Sequence, residues 1–352
     1  MNTVTLRSAA ALIAASLVLA AGAASAQEQK KVRWNMPSAY PGSLTLIGEA
    51  GIRFTKHVSR LTNGTLDIKF QEPGALVPAL QAVEAVSQGS AEIAYSSPGF
   101  FAKSDTALII FSSVPFGPAI PEYLAWMHNG GGIKLMNELL APHNVHGILC
   151  NTIPPEASGW FRKEIKSPED LKGIKMRFFG LGAKVMEKLG VATQLLAPGD
   201  IFQALQLGTI DATEFSLPAM DQKFGFYQVA KFYYFPGWHQ QASNQVIFVN
   251  TAKWKELSDQ HQAAIEAACA LTTQEVIAQG EADQWKAISE MRDKHGVQIK
   301  TWPPEMLATM EKAWNEVVTE ESAKNPSFKK VFDQYSAFRK DYAIWKGIGY
   351  LK

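Results

Sequence analysis

Cysteine is scarce: Cys150 and Cys269 are the two in 352 residues. No His/Cys spacing suits a zinc module, and a cysteine-dense secreted scaffold is excluded. A surplus of either charge is also missing. With 34 basic and 33 acidic residues the formal net charge is +1, which gives no electrostatic case for nucleic acid or an anionic membrane. No stretch reaches about 18 consecutive apolar residues, the length a bilayer span needs. G-x-S-x-G, H-E-x-x-H and a phosphate loop are absent, and none of the seven histidines has an evident catalytic partner.

What is present is ordinary globular composition, 47% hydrophobic and 19% charged, enough for one large or two medium domains. Residues 1–26 read as a cleavable leader. Arg7 is its positive head, 9–21 its apolar run and Ala24-Ser25-Ala26 its cleavage site, so the mature chain starts at Gln27. No cysteine follows the cut to carry a lipid. Export permits a disulfide. Yet Cys150 ends a strand-like run and Cys269 sits mid-helix in Ala267-Ala268-Cys269-Ala270, so two buried thiols are favoured over a bridge.

Strand and helix periodicities then alternate. Residues 31–36 read as a strand. A helix over 43–61 carries Leu46, Ile47, Ala50, Phe54 and Val58 on one face, and 66–70 alternate as a strand. A helix over 78–88 stops at Gly89 and leads into a strand over 91–95. The same order returns as helix 201–207, Gly208 and strand 210–214, with Glu92 matching Asp211. Two α/β lobes of similar plan are the expectation. Residues 152–155 and 238–241 read as crossings between them. A long helix follows Ser258 to about residue 295, with Gly280 as a possible kink. The amphipathic helices over 304–352 hold more aromatics than a surface helix needs, so they pack on the body or on a second subunit.

Chemistry concentrates in residues 156–221. Arg177 follows the run 174–176, so it should leave a strand end with its guanidinium free to fork onto a carboxylate. A solvated rim arginine is the competing reading; Arg162, followed by Lys163, reads equally as helper or surface residue. Phe100, Phe101 and Phe215 are candidates to line a pocket, with core packing the alternative. Asn151 and Gln240 lie at the two crossings, and Tyr40 in the first strand–helix loop. Glu156 and Glu214 as an acid/base pair would make an enzyme, a reading the missing motifs disfavour.

Four motifs together resemble one family: the run 167–177 ending in Lys-Met-Arg, the 199–208 segment with Asp211-Ala212, Pro236-Gly237-Trp238-His239, and Trp254-Lys255-Glu256-Leu257-Ser258 before the long helix. Each is weak alone. In combination, across essentially the whole mature chain, they resemble the solute-binding proteins of tripartite ATP-independent periplasmic (TRAP) transporters, the DctP family. The nearest branch binds 2-oxo acids, lactate and related organic acids, sometimes through a metal ion; members described for mannitol or chloroaromatic acids lie near it.

The resemblance implies an α/β, two-lobed periplasmic binding protein of type II-like plan, with hinge crossings and a long bracing helix, and no enzyme. Lobe 1 would take 27–151 plus 240–282; lobe 2 would take 152–239 plus 283–352 with the C-terminal helices. Arg177 would clamp the ligand carboxylate; on that reading we expect Arg177→Met to abolish binding and leave the empty protein's melting temperature nearly unchanged. The family's cation ligands fall on Glu156, Glu214 and the backbone carbonyl of Phe215. Two positions depart: glutamine is usual at 156 and tryptophan at 215. Two carboxylates favour Ca²⁺ over Na⁺; Glu156 paired to Arg162 or another group, with no metal, is the alternative. The implied partners are a small organic acid and integral-membrane TRAP permease subunits, with no nucleic acid, in the periplasm. A homodimer through the C-terminal helices and a receptor for a sensor are further possibilities.

Overall fold

The structure, a computed structural model, describes residues 31–351; the leader expected over 1–26 lies outside them. Four strands come first: β1 (Val32–Pro37), β2 (Leu66–Gln71), β3 (Ile93–Ser96) and β4 (Val145–Ile153). Five follow: β5 (Gly159–Phe161), β6 (Lys175–Arg177), β7 (Ala192–Gln194), β8 (Ala212–Thr213) and β9 (Phe232–Phe235). The last two are β10 (Ser243–Asn250) and β11 (Gln298–Thr301). They form two lobes. In the first, β1 and β2 run parallel and β10 lies antiparallel between β3 and β4. A Ser38–Tyr95 bridge joins these two groups. The second lobe is a six-stranded sheet in the order β11-β9-β5-β8-β6-β7.

Local sequence explains the elements. The helix Ile47–Leu61 buries Ile47, Ala50, Phe54 and Val58, the face its spacing predicts. β10 is buried on both faces except at its last residue: its apolar half is residues 246–249, and its polar start, Ser243, Asn244 and Gln245, is buried at the crossing. The matched helix–glycine–strand units use their acids alike. Glu92 accepts from Asn35 N–H of β1 through its side chain, and Asp211 accepts from Lys175 N–H of β6. Each acid pins a neighbouring strand.

The chain crosses between lobes beside itself, since Ile153 at the end of β4 pairs with Ser243 at the start of β10. The helix Asp259–His295 packs on β4 and on Ile47–Leu61 in the first lobe, then on the helix Pro218–Phe224 in the second. It is continuous through Gly280. An added Cβ there would stand 2.7 Å from Cδ of Pro154, so the glycine gives the first crossing room to lie against the brace.

Cys150 and Cys269 form a disulfide, which corrects the expectation of two free thiols. The brace lies along β4, and a separation of 119 residues hides that contact from the sequence. The C-terminal helices divide their packing. Pro304–Lys324 lies on the second-lobe helix Leu181–Lys188, while Pro326–Gly349 lies on first-lobe segments Thr106–Phe111 and Ile120–Asn129. Asn325 marks the return: it caps the last helix through Oδ1 and donates Nδ2 to Asp105 at 2.7 Å. Trp314, Phe328 and Tyr335 are buried on the body, but Ile344, Trp345 and Ile348 are exposed. Among the described residues no helix is long and apolar enough to cross a membrane.

Candidate ligand and cation site between the lobes

Arg177 ends β6 with its head turned inward, not out at a rim. It is 2% exposed. Its Nη1 donates to the Glu214 carbonyl and to Glu214 Oε1, both at 2.8 Å. Phe179 N–H donates to the same Oε1 at 2.6 Å. The Phe215 ring lies 5.5 Å from the guanidinium carbon. This corrects the expectation of a free, stability-neutral arginine, because the strand's parallel neighbour β8 delivers Glu214 to it. The arginine is not used up, for its Nε is buried without a hydrogen-bond partner.

Glu156 sits on the link between β4 and β5. Its N–H donates to the Gln240 carbonyl at 3.1 Å, and Gln240 Nε2 donates to its Oε2 at 2.8 Å. The two crossings thereby hold the carboxylate. His239 lies between the acids, with Nε2 at 3.7 Å from Glu156 Oε2 and 3.6 Å from Glu214 Oε2. Those distances suit charge attraction but exceed a hydrogen bond. Burial pushes Glu156 up to about 8, Glu214 adding to the rise and His239 opposing it. Burial works against a charged His239, yet the facing carboxylates outweigh it and raise the imidazole to about 9. Asp221 underlies the site, accepting from Trp160 Nε1, Tyr233 OH and Ser216 N–H; burial raises it to about 7.

Glu156, Glu214 and His239 bring ligand atoms within 4.8 Å of one another. Glu214 Oε2 is buried with no hydrogen-bond partner. A desolvated, unsatisfied carboxylate oxygen is costly unless a proton or cation meets it. His239 Nε2 stands 3.6 Å from that oxygen, so a bound cation would take over the position of the imidazolium charge; the two carboxylates are the donors that fit, and they suit a hard divalent ion.

Beside this cluster is a small cavity of about 30 Å³. Tyr40 and Phe100 line it from the first lobe, and Glu156, Arg177 and Phe215 from the second, with Gln240 at the crossing. Glu214 is fully buried behind them. Asn151 stands one step back, its Nδ2 donating to Gln245 Oε1 at 2.8 Å, and Gln245 is the wall residue. Phe101 packs against His143 and faces an outer cleft, because the tight Pro98–Phe101 turn sends successive side chains in different directions. Arg162 donates to the Leu205 carbonyl on the surface. Sequence reasoning missed Ser97, Phe179, Ser216, Ser243 and Gln245 on the wall, and His239 beside it. The Pro-Gly-Trp-His motif was the available signal for His239.

The sequence model described as bacterial extracellular solute-binding protein, family 7 (DctP), matches residues 38–325. The monocarboxylate 2-oxoacid-binding periplasmic protein of Nostoc sp. is 35% identical over 91% of this chain and 87% of its own. A TRAP transporter solute-binding protein from Bordetella bronchiseptica is 36% identical, with a TM-score of 0.87, over 90% of this chain and 94% of that one. It was solved as a mixed-occupancy dimer with copurified calcium and picolinate in one active site and the other apo. A TRAP periplasmic solute-binding protein from Pseudoalteromonas atlantica, solved with sodium and pyruvate, is 27% identical, with a TM-score of 0.86, over 90% of this chain and 96% of that one.

Proposed function

This chain belongs to family 7 of the bacterial extracellular solute-binding proteins, the TRAP transporter receptors, and on that premise we propose that it captures a small 2-oxo or 2-hydroxy monocarboxylate between its lobes. The family binds solutes and is not enzymatic, so Glu156 and Glu214 are ligands rather than an acid/base pair. The observation that carries the reading is Arg177, a residue lining the interlobe cavity whose Nε is buried without a hydrogen-bond partner. A desolvated N–H donor at a closing cleft calls for an acceptor, and a carboxylate is the best match for a guanidinium.

Arg177 takes the ligand carboxylate. Glu156, Glu214 and the backbone carbonyl of Phe215 hold a cation, Ca²⁺ in preference to Na⁺. That ion supplies positive charge for a carboxylate oxygen and the adjacent 2-oxo or 2-hydroxy oxygen. A charge-assisted hydrogen bond adds about 1.5–3 kcal/mol, and micromolar binding needs only about 8 kcal/mol in total. Tyr40 and Phe100 from one lobe and Phe215 from the other touch the same ligand, so it favours the closed state by its differential affinity. The closed form is delivered to integral-membrane permease subunits. We place the protein in the periplasm, exported by the leader over residues 1–26. A second copy covers the exposed Ile344, Trp345 and Ile348 at the end of the last helix.

The test is a calorimetric screen of 2-oxo and 2-hydroxy acids with Ca²⁺ or chelator. Micromolar binding of a 2-oxo acid that weakens with chelator is expected. Failure of every organic acid to bind, with or without the ion, overturns the reading.

A further inference from the structure

Two spaces lie in the cleft. The inner one is the cavity of about 30 Å³ over Arg177 and Glu156. The outer one, of about 1150 Å³, is bordered by Pro41, Phe100 and Lys103 on the first lobe and by Leu195, Leu196 and Asp200 on the second. Phe100 borders both, so what touches Phe100 decides whether the two spaces communicate.

Phe179 of the second lobe meets Phe100 edge to face, with centroids 5.0 Å apart. Its N–H is fastened to Glu214 Oε1, the oxygen that also holds Arg177. Under the ring lies Gly99 of the first lobe. A Cβ there would stand 2.5 Å from Phe179 Cζ, closer than carbon atoms approach. The backbone cannot recede, because Gly99 N–H is tied to Ser112 Oγ at 2.7 Å and Ser112 Oγ accepts from Ser97 Oγ at 2.8 Å. The missing side chain at Gly99 is what lets a ring from one lobe settle on the backbone of the other.

We propose that Phe179 is the specificity-determining wall of the site: seated on Gly99 and against Phe100, it seals the inner cavity from the outer cleft and restricts the ligand to organic acids with a short substituent. This rests on the reading that the inner cavity holds the acid. A chain extending from a carboxylate anchored at Arg177 meets the Phe100–Phe179 pair. Without the Phe179 ring the chain would pass into the outer cleft, where Leu195 and Leu196 offer apolar surface. Each methylene buried there is worth about a fourfold gain in affinity.

The experiment is calorimetry on the mature protein with Ca²⁺, using pyruvate, 2-oxobutanoate, 2-oxohexanoate and 2-oxooctanoate. Wild type should bind the short acids and lose affinity along the series. Phe179→Ala should raise affinity for 2-oxooctanoate relative to pyruvate by about tenfold or more, as two or three buried methylenes predict. Phe179→Leu, which keeps more of the core filled, should show the same reversal to a smaller degree and serves if the alanine variant fails to fold. Gly99→Ala should weaken pyruvate binding by about tenfold or more, and adding Phe179→Ala should restore it by removing the colliding ring. Wild type that binds no acid of the series overturns the ligand reading itself. Wild type that binds short acids, with an unchanged preference in both Phe179 variants, overturns the wall alone. Equal affinity of wild type for short and long acids does the same.

Discussion

Arg177 and Glu214 hold each other through main chain and side chain together. Arg177 Nη1 donates to Glu214 Oε1 and to its carbonyl, both at 2.8 Å, and Glu214 N–H donates to the Arg177 carbonyl at 3.2 Å. The guanidinium is ordered by the protein, so a ligand does not bear the entropy of fixing it. The same pairing would tie the proposed binding role of Arg177 to stability, since neither charge is buried alone.

Arg177→Met should abolish ligand binding and also destabilise the empty protein by about 3–5 kcal/mol, the cost of stranding a buried partner. Adding Glu214→Gln should recover part of the melting temperature but none of the binding. Calorimetry and thermal melts check both. Micromolar affinity in Arg177→Met would remove the clamp, and an unchanged melt would mean the pair contributes nothing to the fold.

The proposed cation site would depend on Glu156. Ca²⁺ should raise the melting temperature of wild type, and chelator should lower it. Glu156→Gln removes one of two carboxylates, so Ca²⁺ affinity should drop by about tenfold or more and the preference over Na⁺ should shrink. A melt indifferent to ion and chelator in wild type would discard the cation.

Acidity gives an independent check. Burial holds Glu156 up to about 8, so its carboxyl keeps a proton at neutral pH until a cation displaces it. Ion and proton compete, and the His239 imidazolium between the acids, raised to about 9, repels an incoming cation as well, so apparent cation affinity must rise with pH and level off only above about 9. Below that it falls by up to about tenfold per pH unit for each proton displaced. Titrations in buffers of different ionisation heat should show about one to two protons released per ion bound at neutral pH, from Glu156 and His239. Affinity flat across this window would show that Glu156 does not ligate the ion.

The disulfide should matter to the fold and not to the ligand. It joins β4 to the brace across 119 residues, and closing a loop that long is worth about 4–5 kcal/mol in the chain-entropy model. Cys150→Ser with Cys269→Ser should lower the melting temperature while leaving ligand affinity within about twofold. A large loss of affinity would place the bridge in the closing motion instead.

Much of the architecture was legible. The face of the helix Ile47–Leu61, the glycine stops at 89 and 208, and the long helix after Ser258 follow from spacing a few residues long. Within the site, Arg177 and Glu156 stood out because charges at element ends among aromatics are unusual. Three things were hidden. Arg177 looked like a strand-end residue with its guanidinium free, because its neighbour strand β8, which brings Glu214 to it, lies 35 residues on. His239 looked like one more motif residue because both of its carboxylates come from elsewhere in the chain. Phe101 looked like a twin of Phe100, although the turn that carries them sends only Phe100 to the inner cavity and Phe101 into the first lobe's core.

Periodicity, turn chemistry and motif residues are properties of neighbours in the chain, and they alone determined the strands, the helices, the crossings and the family. Which groups meet across the lobes was decided by tertiary structure: Cys150 with Cys269, His239 with two acids, Phe179 on Gly99. Each contact joins segments whose separation along the chain carries no signal. Burial, which turns those meetings into unpaired donors and raised acids, exists only once the lobes have packed.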